Sequence, residues 1–301
     1  MWNDHGSPET FTRFTTIRRR LEALEFETPL KQFTFEFVLF GFKQGWACLF
    51  GGLLLALILA THQLYPKDAA LARYDFLFLA ALAIQAALLA LRLETWREAK
   101  VILMFHMVGT AMEVFKTQMG SWTYPEPAVF RIADVPLFSG FMYAAVGSYI
   151  ARGTRIFDMR YLDYPSIWAT IALAIAIYVN FFAHHFVMDI RIALFAATFI
   201  FFWRTRVYFT PHRKPRWMPL LVGLPLVVLF IWLAENIATF ARAWAYPHQS
   251  QNWTPVKVAK LGAWYLLMII SFVLVSLVHR PKPPDQPDAG PIGPTQPQGS
   301  S

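Results

Sequence analysis

The chain has 301 residues, 56% hydrophobic, 17% aromatic and only 15% charged. Soluble domains carry about a quarter charged residues, so this composition excludes an ordinary water-soluble globule. The net charge is +8, yet no recognition motif accompanies it, and nucleic acid is not expected as a partner.

Residues 1–44 are expected to form a cytoplasmic N-terminal segment. Within it Phe11, Phe14, Ile17, Leu21 and Leu24 recur at helical spacing, with Arg18, Arg19 and Arg20 between them. That pattern predicts a helix lying on an anionic membrane surface. The mostly polar stretch before the first apolar run is longer than a signal n-region, so that run is expected to stay in the mature protein. The single cysteine, Cys48, cannot form an internal disulfide and does not report a redox compartment.

A spanning helix needs about 20 mainly apolar residues. Eight segments fit: 45–65, 74–92, 99–118, 136–152, 166–185, 190–206, 217–240 and 261–279. The expected fold is therefore an all-α polytopic transmembrane bundle of about eight spans over residues 45–279. Residues 281–301, rich in Pro, Gly, Gln and Ser, are expected to be a disordered cytoplasmic tail. Positive residues favour cytoplasmic loops. With both ends inside, the inner segments hold 19 of the 27 Lys and Arg, and the outer loops hold 8. The expected location is the bacterial inner membrane with both termini in the cytoplasm.

Two segments share a pattern at a constant offset of 122 residues. Glu113, Thr117, Trp122, Tyr124 and Pro125 are matched by Glu235, Thr239, Trp244, Tyr246 and Pro247. Gly140 and Tyr143 are matched by Gly262 and Tyr265. An offset of four segments keeps orientation, so the pattern implies two parallel four-helix halves, about 45–160 and 166–280. Parallel repeats of this kind occur in transporters.

Ionisable groups inside a bilayer are expensive unless they face the bundle interior. Glu113 and Glu235 are thus expected to point inward, in the outer half of the membrane. Together they make a candidate catalytic pair. Lys116, Trp122, Tyr124, Asn180, His184, His185, Asp189, Arg191, Asn236, Trp244 and Tyr246 fall at the same depth and are candidate substrate contacts. A local Glu113–Lys116 ion pair or a purely structural hydrogen-bond network explains the same residues. His184 or His185 with Asp189 has helical spacing, but no His-x3-His or Glu-x2-His pair appears, and no metal is assigned. No cofactor is evident, and P-loop, dinucleotide and serine-hydrolase motifs are absent.

The strings Met112–Glu126 and Val135–Tyr143, Asn180–His185 with Asp189–Arg191, and Trp232–Asn236 resemble an uncharacterised bacterial membrane family, the YoaT-like domain of unknown function. The resemblance covers about residues 35–279 and implies a membrane protein without implying an activity. A narrower likeness, to membrane enzymes of carotenoid metabolism, is confined to Glu113, Gly120, Trp122 and Tyr124. The second copy carries Arg242 where the first has Gly120.

The leading expectation is an enzyme acting on a lipid or isoprenoid by carboxylate acid–base chemistry. Membrane lipids and a hydrophobic small molecule are its expected partners. A proton-coupled transporter or channel is the first alternative, and a non-catalytic assembly protein is the second.

Overall fold

A computed structural model describes residues 28–284. The helix expected around Phe11–Leu24 and all but the start of the Pro-rich tail lie outside the described residues. Nine α-helices account for most of the described chain: α1 Pro29–Ala47, α2 Leu49–Leu64, α3 Arg73–Ala90, α4 Trp96–Gln118, α5 Phe138–Ile156, α6 Ile167–Ala183, α7 Arg191–Phe202, α8 Leu220–Phe240 and α9 Lys260–Val278. Strands β1 Arg131–Ile132 and β2 Val135–Pro136 form a small hairpin. Strands β3 Arg160–Leu162, β4 Arg206–Phe209 and β5 Arg216–Pro219 form an antiparallel sheet in that order.

Local chemistry sets the helix ends. Thr28 accepts from the Lys31 N–H and is followed by Pro29, so α1 starts there. Thr95 and Glu98 form a reciprocal capping box at the start of α4. Gly120, at φ +68°, ends α4 in the left-handed conformation that glycine adopts most readily.

Each of the eight expected segments coincides with a helix, α2 to α9, but the described structure does not make eight spans of them. By length and composition three helices are suited to cross a membrane: α3, α8 and α9. The α1–α2 pair, bent by 69°, would make a fourth. The others fall short for physical reasons. Helix α7 has 12 residues, about 18 Å at 1.5 Å per residue; it ends at Phe202 because Arg206–Phe209 pairs as strand β4. Helix α4 carries Arg97, Glu98, Lys100, Glu113 and Lys116. The boundary placed at residue 44 also shifts, since helix α1 occupies 29–47.

The helix ends gather at two opposite faces. At one, Thr61, Arg73, Ala241 and Glu126 meet: Arg73 donates to Thr61 Oγ1, to the Ala241 carbonyl and to Glu126. Asp75 accepts from the N–H groups of Val129 and Phe130, which fixes the loop leading to the β1–β2 hairpin. At the other face lie the three-stranded sheet and a buried ionic layer. There Arg152 reaches Glu94 at 2.5 Å, both side chains fully buried, and Arg155 reaches Glu98 at 2.9 Å. Between the faces runs one apolar core that includes Phe50, Leu77, Ala144, Ile177 and Ile269.

The spacing found in the sequence reappears in the backbone. Helices α4 and α8 end at Gln118 and Phe240, 122 residues apart. Helices α5 and α9 begin at Phe138 and Lys260 and end at Ile156 and Val278, again 122 apart at both ends.

Candidate functional site

The site is built where α4 and α8 end. After α4 the chain closes a tight cap, Gly120 N–H to Thr117 O and Ser121 N–H to Lys116 O, both 3.0 Å. After α8 the same cap forms from Arg242 N–H to Thr239 O and from Ala243 N–H to Ala238 O, at 3.1 and 3.0 Å. Arg242 adopts φ +57° there, a left-handed conformation that disfavours any residue with a Cβ. Each cap folds the following aromatic segment back onto its helix.

This fold-back places a tyrosine on each glutamate eleven residues earlier. Glu113 Oε2 accepts from Trp122 Nε1 at 2.6 Å and from Tyr124 OH at 2.5 Å, while Oε1 accepts from Tyr143 OH at 2.5 Å. Glu235 Oε1 accepts from Tyr246 OH at 2.5 Å, and Oε2 from Trp264 Nε1 at 2.7 Å. Tyr143 reaches Glu113 because Gly109 faces its ring: a Cβ on residue 109 would sit 2.7 Å from Tyr143 Cγ. Glu113 and Glu235 are 2% and 3% exposed, so these five donors replace the water each carboxylate has lost.

The two capped segments meet directly. Thr123 and Ala245 exchange a pair of backbone hydrogen bonds, both 2.9 Å. The rings of Trp122 and Tyr246 lie edge to face at 6.1 Å, and those of Tyr143 and Trp264 are tilted by 36° at 6.4 Å. Between the glutamates sits Lys260, its ammonium 4.9 Å from the Trp122 ring centre and 4.5 Å from that of Tyr246. It is close enough to act electrostatically on both carboxyls. Burial and the adjacent carboxylates push the Tyr124 and Tyr246 hydroxyls far above the ordinary phenol range. Both therefore remain donors across the physiological range.

The remaining expected residues divide. Lys116 turns away from Glu113, and no Glu113–Lys116 ion pair forms. Its Nζ lies 3.1 Å from His185 Nε2 and 5.6 Å from the Phe181 ring centre. Asn180 donates to Asp189 and accepts from the Ile190 N–H, and Asp189 accepts from the Arg191 N–H and pairs with its guanidinium. His184 is held by the Asn180 carbonyl. This group forms the corner between α6 and α7 and meets the Glu113 helix through Lys116 and Phe115. Burial raises the Asp189 carboxyl, but the bonds from Asn180 and Arg191 outweigh it and hold the group below its ordinary range.

Two candidates stand apart from the carboxyls. Trp244, matched to Trp122 by the offset, is buried and does not serve Glu235; Trp264 supplies that indole N–H instead. Asn236 closes the loop after α8, donating to the Trp232 carbonyl and accepting from the Val256 N–H, so both its amide groups are committed. Sequence reasoning missed Tyr143, Trp264 and Lys260 as site members. Lys260 had a visible signal, a cation heading an otherwise apolar segment.

Two cavities flank Glu113. A polar cavity of about 310 Å³ is lined by Thr117, Thr123, Tyr124, Glu126, Arg131 and Asp134, among others. A narrow apolar cleft of about 20 Å³ touches Tyr143, Gly109, Met112, Tyr178 and Leu267. Among the described residues no group of three or more His, Cys, Asp or Glu is placed to hold a metal ion.

These features define a helical protein with three to four helices apolar enough to cross a membrane and a pair of buried, aromatic-bound carboxyls. Residues 36–272 match the family described as "Protein of unknown function (DUF817)", and the chain belongs to it. It is similar to "Uncharacterized protein YoaT" of Bacillus subtilis (strain 168), 43% identical over 247 residues, covering 82% of this chain and 93% of that protein. No solved structure matches.

Proposed function

We propose that this protein is a multi-pass enzyme of the bacterial plasma membrane that moves protons on a lipid or isoprenoid substrate. One observation carries the reading: the two tyrosines that donate to a single buried carboxyl border two unlike cavities. Tyr124 borders the polar one and Tyr143 the apolar one. An amphipathic molecule suits that arrangement, its head beside Tyr124, and its chain enters as the narrow apolar cleft beside Tyr143 widens. Two carboxyls with one ammonium between them reach neutrality with a single shared proton, which a poorly hydrated site favours. The protonated carboxyl of the pair gives its proton to the substrate and the ionised one takes a proton from it. The exchange is redox-neutral and needs no co-reactant. The faces of Trp122 and Tyr246, which already hold the Lys260 cation, suit a carbocation passing between the two carboxyls.

In this reading α3, α8 and α9 cross the membrane, with the ionic layer and sheet face in the cytoplasm. The shared 122-residue spacing of helix ends and the matching caps support descent from a duplicated four-helix unit. The same quasi-symmetry supports a second reading, a proton-coupled transporter.

The test compares total lipid extracts from cells lacking the gene, cells with wild type, and cells with Glu113→Gln plus Glu235→Gln at equal membrane levels. A species made or consumed only with wild type supports the enzyme and identifies its substrate class. Identical extracts reject the enzyme, and proton flux in liposomes then tests the transporter.

A further inference from the structure

Helix α1 departs from α2 by 69°. If α2 runs along the membrane normal, α1 lies within about 20° of the membrane plane. Its side chains divide accordingly. On one side Leu30, Phe37, Val38 and Phe42 are 74%, 66%, 64% and 67% exposed. On the other side α1 grips the sheet face. Glu36 pairs with Arg216 at 2.7 Å, Phe40 packs on Phe157 and Phe209, and Lys43 donates to the Thr210 carbonyl at 3.0 Å. An apolar surface of that extent is not left in water without a partner.

The sheet beside it is strongly basic. Arg204, Arg206, Arg213, Lys214 and Arg216 fall in thirteen residues, and no Asp or Glu occurs between Asp189 and Glu235. The Arg206 guanidinium lies 4.5 Å over the exposed Trp217 ring, an arrangement that keeps cation and aromatic at one level of the surface.

We propose that α1 and the β4–β5 hairpin form one binding surface for anionic phospholipid. Helix α1 lies in the plane of the leaflet with its phenylalanines among the acyl chains. Arg204, Arg206 and Lys214 take the phosphodiester headgroups. Charge complementarity selects the occupant: a cationic hairpin next to an apolar helix fits a lipid that is negative at one end and apolar at the other. The inference rests on the membrane reading and is independent of any chemistry at Glu113.

Two measurements on the full chain test it. Spin labels are placed at Leu30→Cys, Phe37→Cys and Val38→Cys in a Cys48→Ser background, in bilayers containing phosphatidylglycerol. An in-plane helix puts all three at one shallow depth inside the acyl region. A helix that crosses separates the first and last by about 12 Å, and a water-facing one leaves all three open to polar relaxants; either result overturns the proposal. Native mass spectrometry then compares retained phosphatidylglycerol and phosphatidylcholine. Each cation at an anionic surface is worth about fivefold, so Arg204→Gln, Arg206→Gln and Lys214→Gln together lower phosphatidylglycerol affinity about a hundredfold and leave phosphatidylcholine unchanged. Undiminished preference for phosphatidylglycerol in the triple variant, at unchanged helical content, rejects the hairpin as its binding surface.

Discussion

Replacing Glu113 by alanine tests whether the aromatic cage is organised by the carboxyl it surrounds. The substitution removes the acceptor of three hydrogen bonds, from Trp122, Tyr124 and Tyr143. Each buried donor left without a partner costs about 1–3 kcal/mol, so the gross loss is about 3–9 kcal/mol. Relief of the buried carboxyl's own desolvation offsets part of it. A net loss of at least about 3 kcal/mol remains, which lowers the melting midpoint by about 6–12 °C at 2–4 °C per kcal/mol. Glutamine keeps one oxygen for the two donors at Oε2, and its amide donates to Tyr143, whose hydroxyl rotates to accept. Glu113→Gln therefore costs about 1–2 kcal/mol, a shift of a few degrees. The assay is thermal unfolding of the purified protein followed by tryptophan fluorescence. The acceptor-count reasoning fails if Glu113→Ala melts within a degree of wild type. It fails equally if glutamine is as damaging as alanine.

Three further outcomes are expected. Arg152→Met strands Glu94 in a fully buried position and costs about 3–5 kcal/mol, most of it recovered when Glu94→Leu is added; strictly additive losses in a double-mutant cycle would show that the pair is not coupled. Gly109→Ala drives a methyl into the Tyr143 ring and should reproduce the stability loss of Tyr143→Phe, with little further loss when the two are combined. Burial, then the Lys116 ammonium and the His184 ring, hold the His185 imidazole below its ordinary value. Its contact with Lys116 is thus present above about pH 6.5 and lost as pH falls through the lower folded value. Histidine NMR should show His185 titrating below that point, and a value above it would contradict the geometry.

Hydropathy alone located α2 to α9, because a helix of apolar residues is a local property of the chain. Charge and length then decided something hydropathy did not. Helix α4 is polar enough to need partners, and α7 is cut short where Arg206–Phe209 finds a strand to pair with. Helix α1 was hidden for a related reason: its phenylalanines are diluted by Lys31, Gln32, Glu36 and Lys43, of which Glu36 and Lys43 hold the sheet.

At the site, the glutamates and the aromatic pair that follows Glu113 were legible in the sequence. An acid in an apolar helix is costly wherever it sits, and the 122-residue echo drew attention to both copies. Their partners were not legible. Tyr143 and Trp264 lie 30 and 29 residues from the carboxyls they touch, and Lys260 lies 138 residues from Trp122, so only packing decides which indole meets which carboxyl. Trp244 illustrates the limit, since the offset matched it to Trp122, yet Trp264 makes the bond. What the sequence by itself determined was a helical, membrane-suited chain with two buried acids in related settings. The tertiary structure decided that the two settings adjoin around one lysine, because ring packing and a two-residue backbone bridge join chain ends that no local pattern connects.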